Sequence, residues 1–151
     1  MSKSQQESSD GAPTGFAAPR LSVGVIGTGR AGSVLGAALA RAGHKVVAAY
    51  GVSDLSRLRA EALLPDVPLV TPEEVLAKAD LVLITVPDDV LSELVTGLSA
   101  TGSFRAGQFI AHASGRYGIE VLDPATRAGA LPLALHPAMT LTGTSLDLER
   151  I

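Results

Sequence analysis

The chain has 151 residues, of which 46% are hydrophobic and 18% charged, and its formal net charge is −3. These values predict one soluble, cytoplasmic α/β domain and exclude a fully disordered chain or a coiled coil. Because cysteine is absent, disulfides, thiolate zinc sites and cysteine nucleophiles are excluded. The acidic balance, the lack of a basic block and the few aromatic residues argue against a nucleic-acid partner. No apolar run reaches the roughly 18 residues that cross a bilayer, so no membrane partner is expected.

The first 19 residues differ in composition from the rest of the chain. They are rich in Ser, Gln, Gly and Pro and contain almost no branched aliphatic side chains. This composition predicts a disordered tail at 1–19, and the lack of an apolar core excludes a secretory signal. The folded domain is therefore expected to span 20–151.

Short apolar runs, separated by stretches with helical patterning, recur along the folded domain. The runs lie at 21–26, 45–50, 81–86, 108–112 and 131–136, with a weaker one at 68–70. Because they are continuously apolar rather than alternating, they are typical of parallel strands that are covered on both faces. We therefore predict a doubly wound, mostly parallel α/β sheet of about six strands with helices on both faces, in the order 3-2-1-4-5-6.

Residues that begin and end helices lie between the predicted strands. Helices are predicted at 30–42, 55–64, 75–79 and 89–98, with a further one beginning within 145–151. The first ends at Gly43, a typical residue after the end of a helix. Thr71, Pro72 and Glu74 form a complete capping box in front of the third helix. Asp88, which follows a proline, is expected to cap the fourth helix.

A glycine-rich segment stands between the first predicted strand and the first predicted helix: Gly27-Thr28-Gly29-Arg30-Ala31-Gly32. In this position, the G-x-G-x-x-G pattern is typical of a loop that binds the pyrophosphate of a dinucleotide. Gly27 would allow the tight turn, Gly29 would let the pyrophosphate approach the backbone, and Gly32 would let the helix lie close to the strand. The free N–H groups at the helix start would face the anion. The alternative is a glycine-rich turn that only packs the helix on the sheet.

The residues after the second predicted strand bear on the choice between NAD and NADP. An NAD site usually places Asp or Glu at this point to hold the ribose 2′-hydroxyl, but 46–53 contains no acid. Ser53 and Arg57 would suit a 2′-phosphate instead, with Arg30 as an additional cation. We therefore expect NADP as the cofactor, with NAD less favoured. The alternative is that Ser53 or Asp54 caps the following helix and Arg57 is solvated.

Three segments end predicted strands at the edge of the sheet where ligands bind. Counted with the weak run at 68–70 as the third, the fourth predicted strand is the run at 81–86. Val86 and Pro87 end it, and Pro87 would turn the backbone over the cofactor. His112 ends the fifth predicted strand, at 108–112, with Ser114 just after it, and His136 ends the sixth, at 131–136. Two imidazoles and a hydroxyl are thus expected at one edge, where a carbonyl substrate that accepts a hydride needs a proton donor.

The roles expected for the three histidines and for Ser114 differ. We assign general acid/base catalysis to His136, because Pro137 fixes the direction of the chain beside the crevice. For His112, catalysis and a structural hydrogen bond at the strand end both stay open. Ser114 would orient an imidazole, contact the nicotinamide amide, or only cap the following helix. His44 precedes a strand at the opposite end of the sheet and is expected at the surface.

Four segments together resemble one group of Rossmann-type oxidoreductases: GVIGTGRAGSVLG at 24–36, ADLVLITVPDD at 79–89, HASG at 112–115 and ALHPAMT at 134–140. The resemblance extends over 21–151. In that group an amino-terminal dinucleotide domain precedes a mainly helical domain of unknown function, which completes the substrate pocket and often the dimer. The resemblance implies a chain that binds NADP without turnover, and a homodimer that forms through a carboxy-terminal domain absent from this chain.

The chain also resembles, more distantly, pyrroline-5-carboxylate reductase, 6-phosphogluconate and β-hydroxyacid dehydrogenases, and prephenate dehydrogenase. Prephenate dehydrogenases are similar in having a Ser after the fifth strand and a His-Pro after the sixth. This resemblance implies that His136 polarises a substrate hydroxyl and that Ser114 helps to orient it. Here Pro137 is followed by Ala-Met-Thr rather than that family's Met/Ile-Ala-Gly, which argues against prephenate itself. The closer group implies a 2-ketopantoate-like substrate.

The sequence thus predicts the NADP-binding domain of an oxidoreductase that transfers a hydride between nicotinamide and a small carbonyl or 2-hydroxy compound. His136 would act as general acid/base, and Ser114 would orient it. The alternative is a regulatory or sensing module that binds NADP(H) without chemistry.

Overall fold

Strands and helices alternate along 20–135, the residues that the computed structural model describes. In chain order they are β1 (Ser22–Ile26), α1 (Arg30–Arg41), β2 (Lys45–Tyr50), α2 (Asp54–Leu63), α3 (Pro72–Lys78), β3 (Leu81–Ile84), α4 (Asp88–Ala100), β4 (Phe109–His112), a 3₁₀ helix (Ile119–Leu122), α5 (Asp123–Arg127) and β5 (Leu131–Ala134). The expected tail at 1–19 and the expected helix start within 145–151 lie outside the described residues. Within the described range, no helix is long and apolar enough to span a membrane.

The five strands form one parallel sheet in the order β2-β1-β3-β4-β5. Side by side across it lie Tyr50, Ile26, Ile84, His112 and Ala134, one on each strand. Each of these residues is the last of its strand, so the loops that follow β1 to β4 lie at one edge of the sheet, where β5 also ends. The predicted parallel α/β architecture is confirmed, and this edge is where such sheets bind ligands.

The weakest of the expected strands is reduced to a single bridge between Leu69 and Ala49. Ala49 donates to the Pro68 carbonyl at 3.0 Å, and Val70 donates to the Ala49 carbonyl at 2.8 Å. The pairing stops there because Pro68 has no N–H to donate and α3 begins at Pro72. The bridge lies beside β2, where the third of the six predicted strands is expected. Because it is a single bridge and not a strand, the sheet that the structure describes has five strands.

Helices cover both faces of the sheet, because neighbouring residues of each strand point to opposite faces. One face packs the strand residues Val25, Ala49, Leu83 and Ala111 with Ala37 of α1 and with Leu64. The other face packs Ile26, Val82, Ile84 and Ile110 with Val75 and Leu76 of α3, Leu91 and Val95 of α4, and Ala125 of α5. Burial of these side chains is the main force that holds the helices on the sheet.

The start of α3 matches its sequence signal, and the start of α4 does not. The Glu74 N–H donates to the Thr71 hydroxyl at 3.2 Å and the Thr71 N–H donates to the Glu74 carboxylate at 3.1 Å, so the predicted capping box is present. The prediction that Asp88 caps α4 is wrong. Asp88 is the first helical residue, because the Pro87 carbonyl already accepts from the Leu91 N–H at 3.1 Å.

β5 is the outer strand of the described sheet on the side away from β2. The Leu131 N–H donates to the Gln108 carbonyl at 2.8 Å, and the Leu135 N–H donates to the His112 carbonyl at 2.7 Å. Since successive residues of a strand alternate in direction, the nitrogen of Pro132 faces the free edge. The strand stops short of its predicted end at position 136.

Candidate functional site

The loop between β1 and α1 turns at Gly27. Its φ of +103° is a conformation that residues other than glycine rarely adopt. The Gly27 N–H donates to the Tyr50 carbonyl at 2.8 Å, which joins the loop to the end of β2. A Cβ atom on Gly27 would lie 2.8 Å from the Thr85 carbonyl oxygen, just beyond β3. Both the turn and the contact with the neighbouring strand therefore require glycine here.

Gly32 lies in the first turn of α1, directly against this turn. A Cβ atom on Gly32 would overlap the Gly27 carbonyl oxygen and the Thr85 hydroxyl. The Thr85 hydroxyl donates to that same carbonyl at 2.7 Å, and the Thr85 N–H donates to the Ile26 carbonyl at 2.8 Å. The last glycine of the motif thus lets α1, the loop and the end of β3 pack together. Thr85 falls within the predicted strand 81–86 and has no role in the sequence-based prediction, because a lone threonine near the end of a strand gives no signal.

Gly29 differs from the other two glycines, because no described part of the protein requires it. Its φ of −77° and ψ of −158° are open to other residues, and a Cβ atom there would meet no heavy atom within 4 Å. Beside it begins α1, where the N–H groups of Arg30, Ala31 and Gly32 have no acceptor among the described residues. The first turn of α1 contains no acidic residue. An anion at a helix N-terminus needs this combination of open space and free donors.

The Thr28 side chain is fully buried and binds α2 rather than facing this space. Its hydroxyl donates to the Ser56 carbonyl at 2.8 Å. A Cβ atom on Gly51, the residue after β2, would overlap the Thr28 hydroxyl, so this packing also requires glycine at position 51. The Thr28 side chain is therefore not available to a cofactor, and the predicted contact of Thr28 would have to come from its main chain.

A cavity of about 510 Å³ lies beyond the end of β2. It is lined by Tyr50, Gly51, Arg57, Leu69, Val70, Thr71 and Glu74. Arg57, from α2, is exposed, and no acid among the described residues pairs with it. Glu74 comes from α3, and its pKa is lowered by the hydrogen bond from the Thr71 N–H and then by that from the Thr71 hydroxyl. The cavity therefore contains a cation and a carboxylate, of which sequence reasoning found only the cation.

Ser53 caps α2. Its hydroxyl oxygen accepts from the Ser56 N–H at 3.0 Å, and its hydroxyl donates to the Ser56 hydroxyl at 3.0 Å. This is the capping role that the sequence left open as an alternative. A contact of Ser53 with a 2′-phosphate stays a prediction. The same holds for Arg30, which is exposed at the first residue of α1.

The chain leaves β3 through Val86 and Pro87. The predicted strand extends to Val86, but β3 ends at Ile84, after which the chain turns beside the glycine loop. Val86 is half-buried against the core, and Pro87 is exposed at the start of α4. Both residues lie at the edge where sheets of this kind bind ligands, and their contacts with a cofactor stay predictions.

His112 is 1% exposed, and both nitrogens of its ring have partners. Nε2 lies 2.7 Å from the Gly118 carbonyl oxygen, and Nδ1 accepts from the Ser114 N–H at 3.0 Å. Because a backbone N–H only donates, Nδ1 is unprotonated and Nε2 carries the ring proton. The Ser114 hydroxyl in turn accepts from the Arg116 N–H at 3.0 Å. This geometry favours the structural role of His112, in which the imidazole holds the loop after β4.

Glu120 holds the same loop from its far end. Its carboxylate accepts from the Gly118 N–H at 2.9 Å. The pKa of Glu120 is lowered by the hydrogen bond from its own N–H and then by that from Gly118. Because the folded-state pKa is lowered, this contact stabilises the loop at neutral pH and is lost as the pH falls through the lowered value.

Of the other two histidines, one lies within the described residues. His44 precedes β2 at the opposite end of the sheet, as predicted, and is half-buried there; its Nδ1 accepts from the Leu21 N–H at 3.0 Å. His136, the candidate general acid/base, and Pro137 after it lie outside the described residues.

Replacing His112 by phenylalanine is expected to lower the free energy of unfolding by about 2–4 kcal/mol, since the Ser114 N–H and the Gly118 carbonyl would lose their partners. Urea denaturation followed by circular dichroism measures this loss. The control is His44→Phe, for which a loss of about 1 kcal/mol or less is expected because His44 accepts a single hydrogen bond. Equal losses in the two variants would contradict the structural role of His112.

Three solved structures are similar to the chain in fold. The 3-hydroxyisobutyrate dehydrogenase of Mycobacterium tuberculosis has 23% identity and a TM-score of 0.64, with 78% of this chain and 40% of that chain covered. An imine reductase variant from Myxococcus stipitatus, in complex with NAD⁺, has 21% identity and a TM-score of 0.65, with 81% and 42% covered. A semialdehyde dehydrogenase NAD-binding protein from Cupriavidus necator, in complex with calcium and NAD, has 19% identity and a TM-score of 0.61, with 82% and 44% covered. The chain spans less than half the length of each of these proteins.

Comparison with single proteins and with family models gives different results. No curated protein matches the chain. The model of a family described as Rossmann-like domain matches 3–137, which includes the glycine loop and all five strands. The Rossmann resemblance found in the sequence is thus confirmed, and the chain belongs to the Rossmann-like domain family.

Proposed function

We propose that the chain is the NADP(H)-binding domain of an oxidoreductase that transfers a hydride between nicotinamide and a small carbonyl or 2-hydroxy compound. The observation that supports this most directly is the open space at Gly29, beside the unpaired N–H groups of α1. Glycine is a common N-cap residue, and at this position it also leaves the backbone open to the close approach of a ligand. Two of the structures with a similar fold contain NAD or NAD⁺.

The residues at this edge of the sheet fit a dinucleotide. The N–H groups of Arg30, Ala31 and Gly32 would bind the pyrophosphate, and the cavity beyond β2 would hold the adenosine. The exposed Arg57 would bind a 2′-phosphate, for which the absence of an acid in 46–53 leaves room. Bound nicotinamide would supply or accept the hydride.

The proposed reaction of the substrate depends on two side chains. A carbonyl oxygen that gains negative charge needs a proton donor, and we assign this role to His136, since histidine is suited to it near neutral pH. Ser114 would orient the substrate or the imidazole from the loop that His112 holds. A 2-ketopantoate-like keto acid is a substrate of this class. A homodimer would form through a further carboxy-terminal domain.

A second candidate function is a module that senses NADP(H) without chemistry. One observation favours it: His112, the imidazole that the described residues bring to this edge, has no free nitrogen. Both candidates require dinucleotide binding, and turnover of a carbonyl substrate would distinguish them.

Calorimetric titration of the 151-residue chain with NADPH and with NADH tests the proposed function. We expect both to bind, with NADPH bound more tightly. Arg57→Ala is expected to weaken NADPH binding about tenfold and to leave NADH unchanged, because only NADPH has a 2′-phosphate. The control is Arg59→Ala, on the same helix but outside the cavity, which is expected to change neither affinity.

The possible outcomes separate the domain's function from its cofactor preference. Failure of both dinucleotides to bind would contradict the proposed function. Equal affinities that Arg57→Ala leaves unchanged would contradict only the preference for NADP.

A further inference from the structure

The cavity beyond β2 contains two opposite charges that do not pair with each other. Arg57 and Glu74 are both described by the structure and both line the cavity, yet they form no ion pair with each other. In contact, the two groups would present a nearly neutral surface to a ligand. Because they lie apart, each acts on the charge of a ligand separately.

Glu74 is held at the cavity by the start of α3. Its Oε1 accepts from the Thr71 N–H at 3.1 Å and from the Thr71 hydroxyl at 3.0 Å. These two hydrogen bonds, the first more than the second, lower the pKa of Glu74, so the carboxylate is charged at neutral pH. It cannot leave the cavity wall without breaking the capping box.

A carboxylate at this place has opposite effects on the two dinucleotides. A ribose 2′-hydroxyl donates a hydrogen bond to a carboxylate, which is how an acid at the end of the second strand holds NAD. A 2′-phosphate is negatively charged and is repelled by the same group. No acid stands in 46–53, and Glu74 instead reaches the cavity from α3, whereas Arg57 reaches it from α2.

We propose that Glu74 determines the cofactor specificity of this domain by opposing Arg57. Arg57 favours NADP(H) and Glu74 favours NAD(H), so the chain accepts both with only a small preference. This inference rests on the proposed function, because it concerns the same bound dinucleotide. It extends that function by naming the residue that limits the preference for NADP.

The test is Glu74→Gln, which removes the charge and keeps the cap, because glutamine also closes a capping box through its amide oxygen. The matched control is Glu73→Gln, which removes the same charge from the same helical turn but does not line the cavity. NADPH and NADH are titrated by calorimetry into the full chain and both variants at two salt concentrations, because salt screens a charge effect. Urea denaturation of each variant verifies that the fold is kept.

We expect Glu74→Gln to raise the affinity for NADPH by about three- to tenfold, because the repulsion of the 2′-phosphate is removed. The affinity for NADH is expected to fall by about two- to threefold, because the ribose 2′-hydroxyl loses its carboxylate acceptor. The gain for NADPH is expected to shrink at the higher salt concentration. Glu73→Gln is expected to change neither affinity by more than about twofold.

Three outcomes would overturn the inference. An unchanged ratio of NADPH to NADH affinity in Glu74→Gln overturns it and leaves the proposed function intact, because binding itself persists. An equal change of that ratio in Glu73→Gln also overturns it, because the effect would then come from net charge. If neither dinucleotide binds to the unmodified chain, the proposed function fails and this inference fails with it.

Discussion

Replacing Gly29 by valine is expected to abolish the binding of NADPH and NADH, with a loss of affinity of at least about a hundredfold. The branched side chain would occupy the open space through which a pyrophosphate reaches the N–H groups of α1. The extended backbone at this position accepts a β-branched residue. The free energy of unfolding is therefore expected to fall by no more than about 1 kcal/mol, through the loss of a better N-cap residue. Calorimetry measures the affinities and urea denaturation the stability.

Gly97→Val is the matched control for this prediction. A Cβ atom on Gly97 also meets no heavy atom within 4 Å, but this glycine lies in the last turns of α4, outside the loop and the cavity. We expect the control to bind both dinucleotides as tightly as the unmodified chain. Binding that survives in Gly29→Val would contradict the pyrophosphate site, and a variant that no longer folds would contradict the open space at Gly29.

Gly32→Ala is expected to lower the free energy of unfolding by about 3–5 kcal/mol, which is a large part of the total free energy of unfolding of a domain of this size. The added Cβ would overlap the Gly27 carbonyl oxygen and the Thr85 hydroxyl. Neither group can move away easily, because they are hydrogen-bonded to each other at 2.7 Å and the Thr85 N–H is bonded to the end of β1. Alanine is otherwise the better helix residue by about 1 kcal/mol, so the loss comes from overpacking.

The control for this stability prediction is Gly97→Ala, where the added Cβ has space. It is expected to raise the free energy of unfolding by about 0.5–1 kcal/mol, the usual gain in a helix interior. Urea denaturation of both variants gives the comparison. If Gly32→Ala were as stable as Gly97→Ala, α1 would not lie against the Gly27 turn as described.

The strands could be predicted because burial on both faces makes them continuously apolar. β2 has its predicted bounds, 45–50, and β1 and β4 begin one residue later than predicted. The end of β3 could not be predicted, because it depends on a tertiary contact. The pattern predicts a strand to Val86, whereas the hydroxyl of Thr85 binds the Gly27 carbonyl and the strand ends at Ile84.

The candidate site could be located in part. The glycine motif indicates the loop because its spacing reflects backbone needs that are local. It does not show that Gly32 is required by packing within the protein while Gly29 is not. Glu74 is visible in the sequence only as a helix cap, because a capping box is local. That Glu74 lines the same cavity as Arg57 depends on how α3 packs beside β2, which the sequence pattern does not show.

Pro132 has a consequence for the behaviour of the molecule at high concentration. An outer strand with exposed apolar side chains, such as Leu131 at 46% and Leu133 at 41%, is a template on which another copy could add a strand. Each added strand needs N–H donors along the free edge, and proline has none. Since the nitrogen of Pro132 faces that edge, the ladder of hydrogen bonds between copies is interrupted in the middle of β5. The residue thus opposes the addition of a strand from another copy at this outer strand of the described sheet.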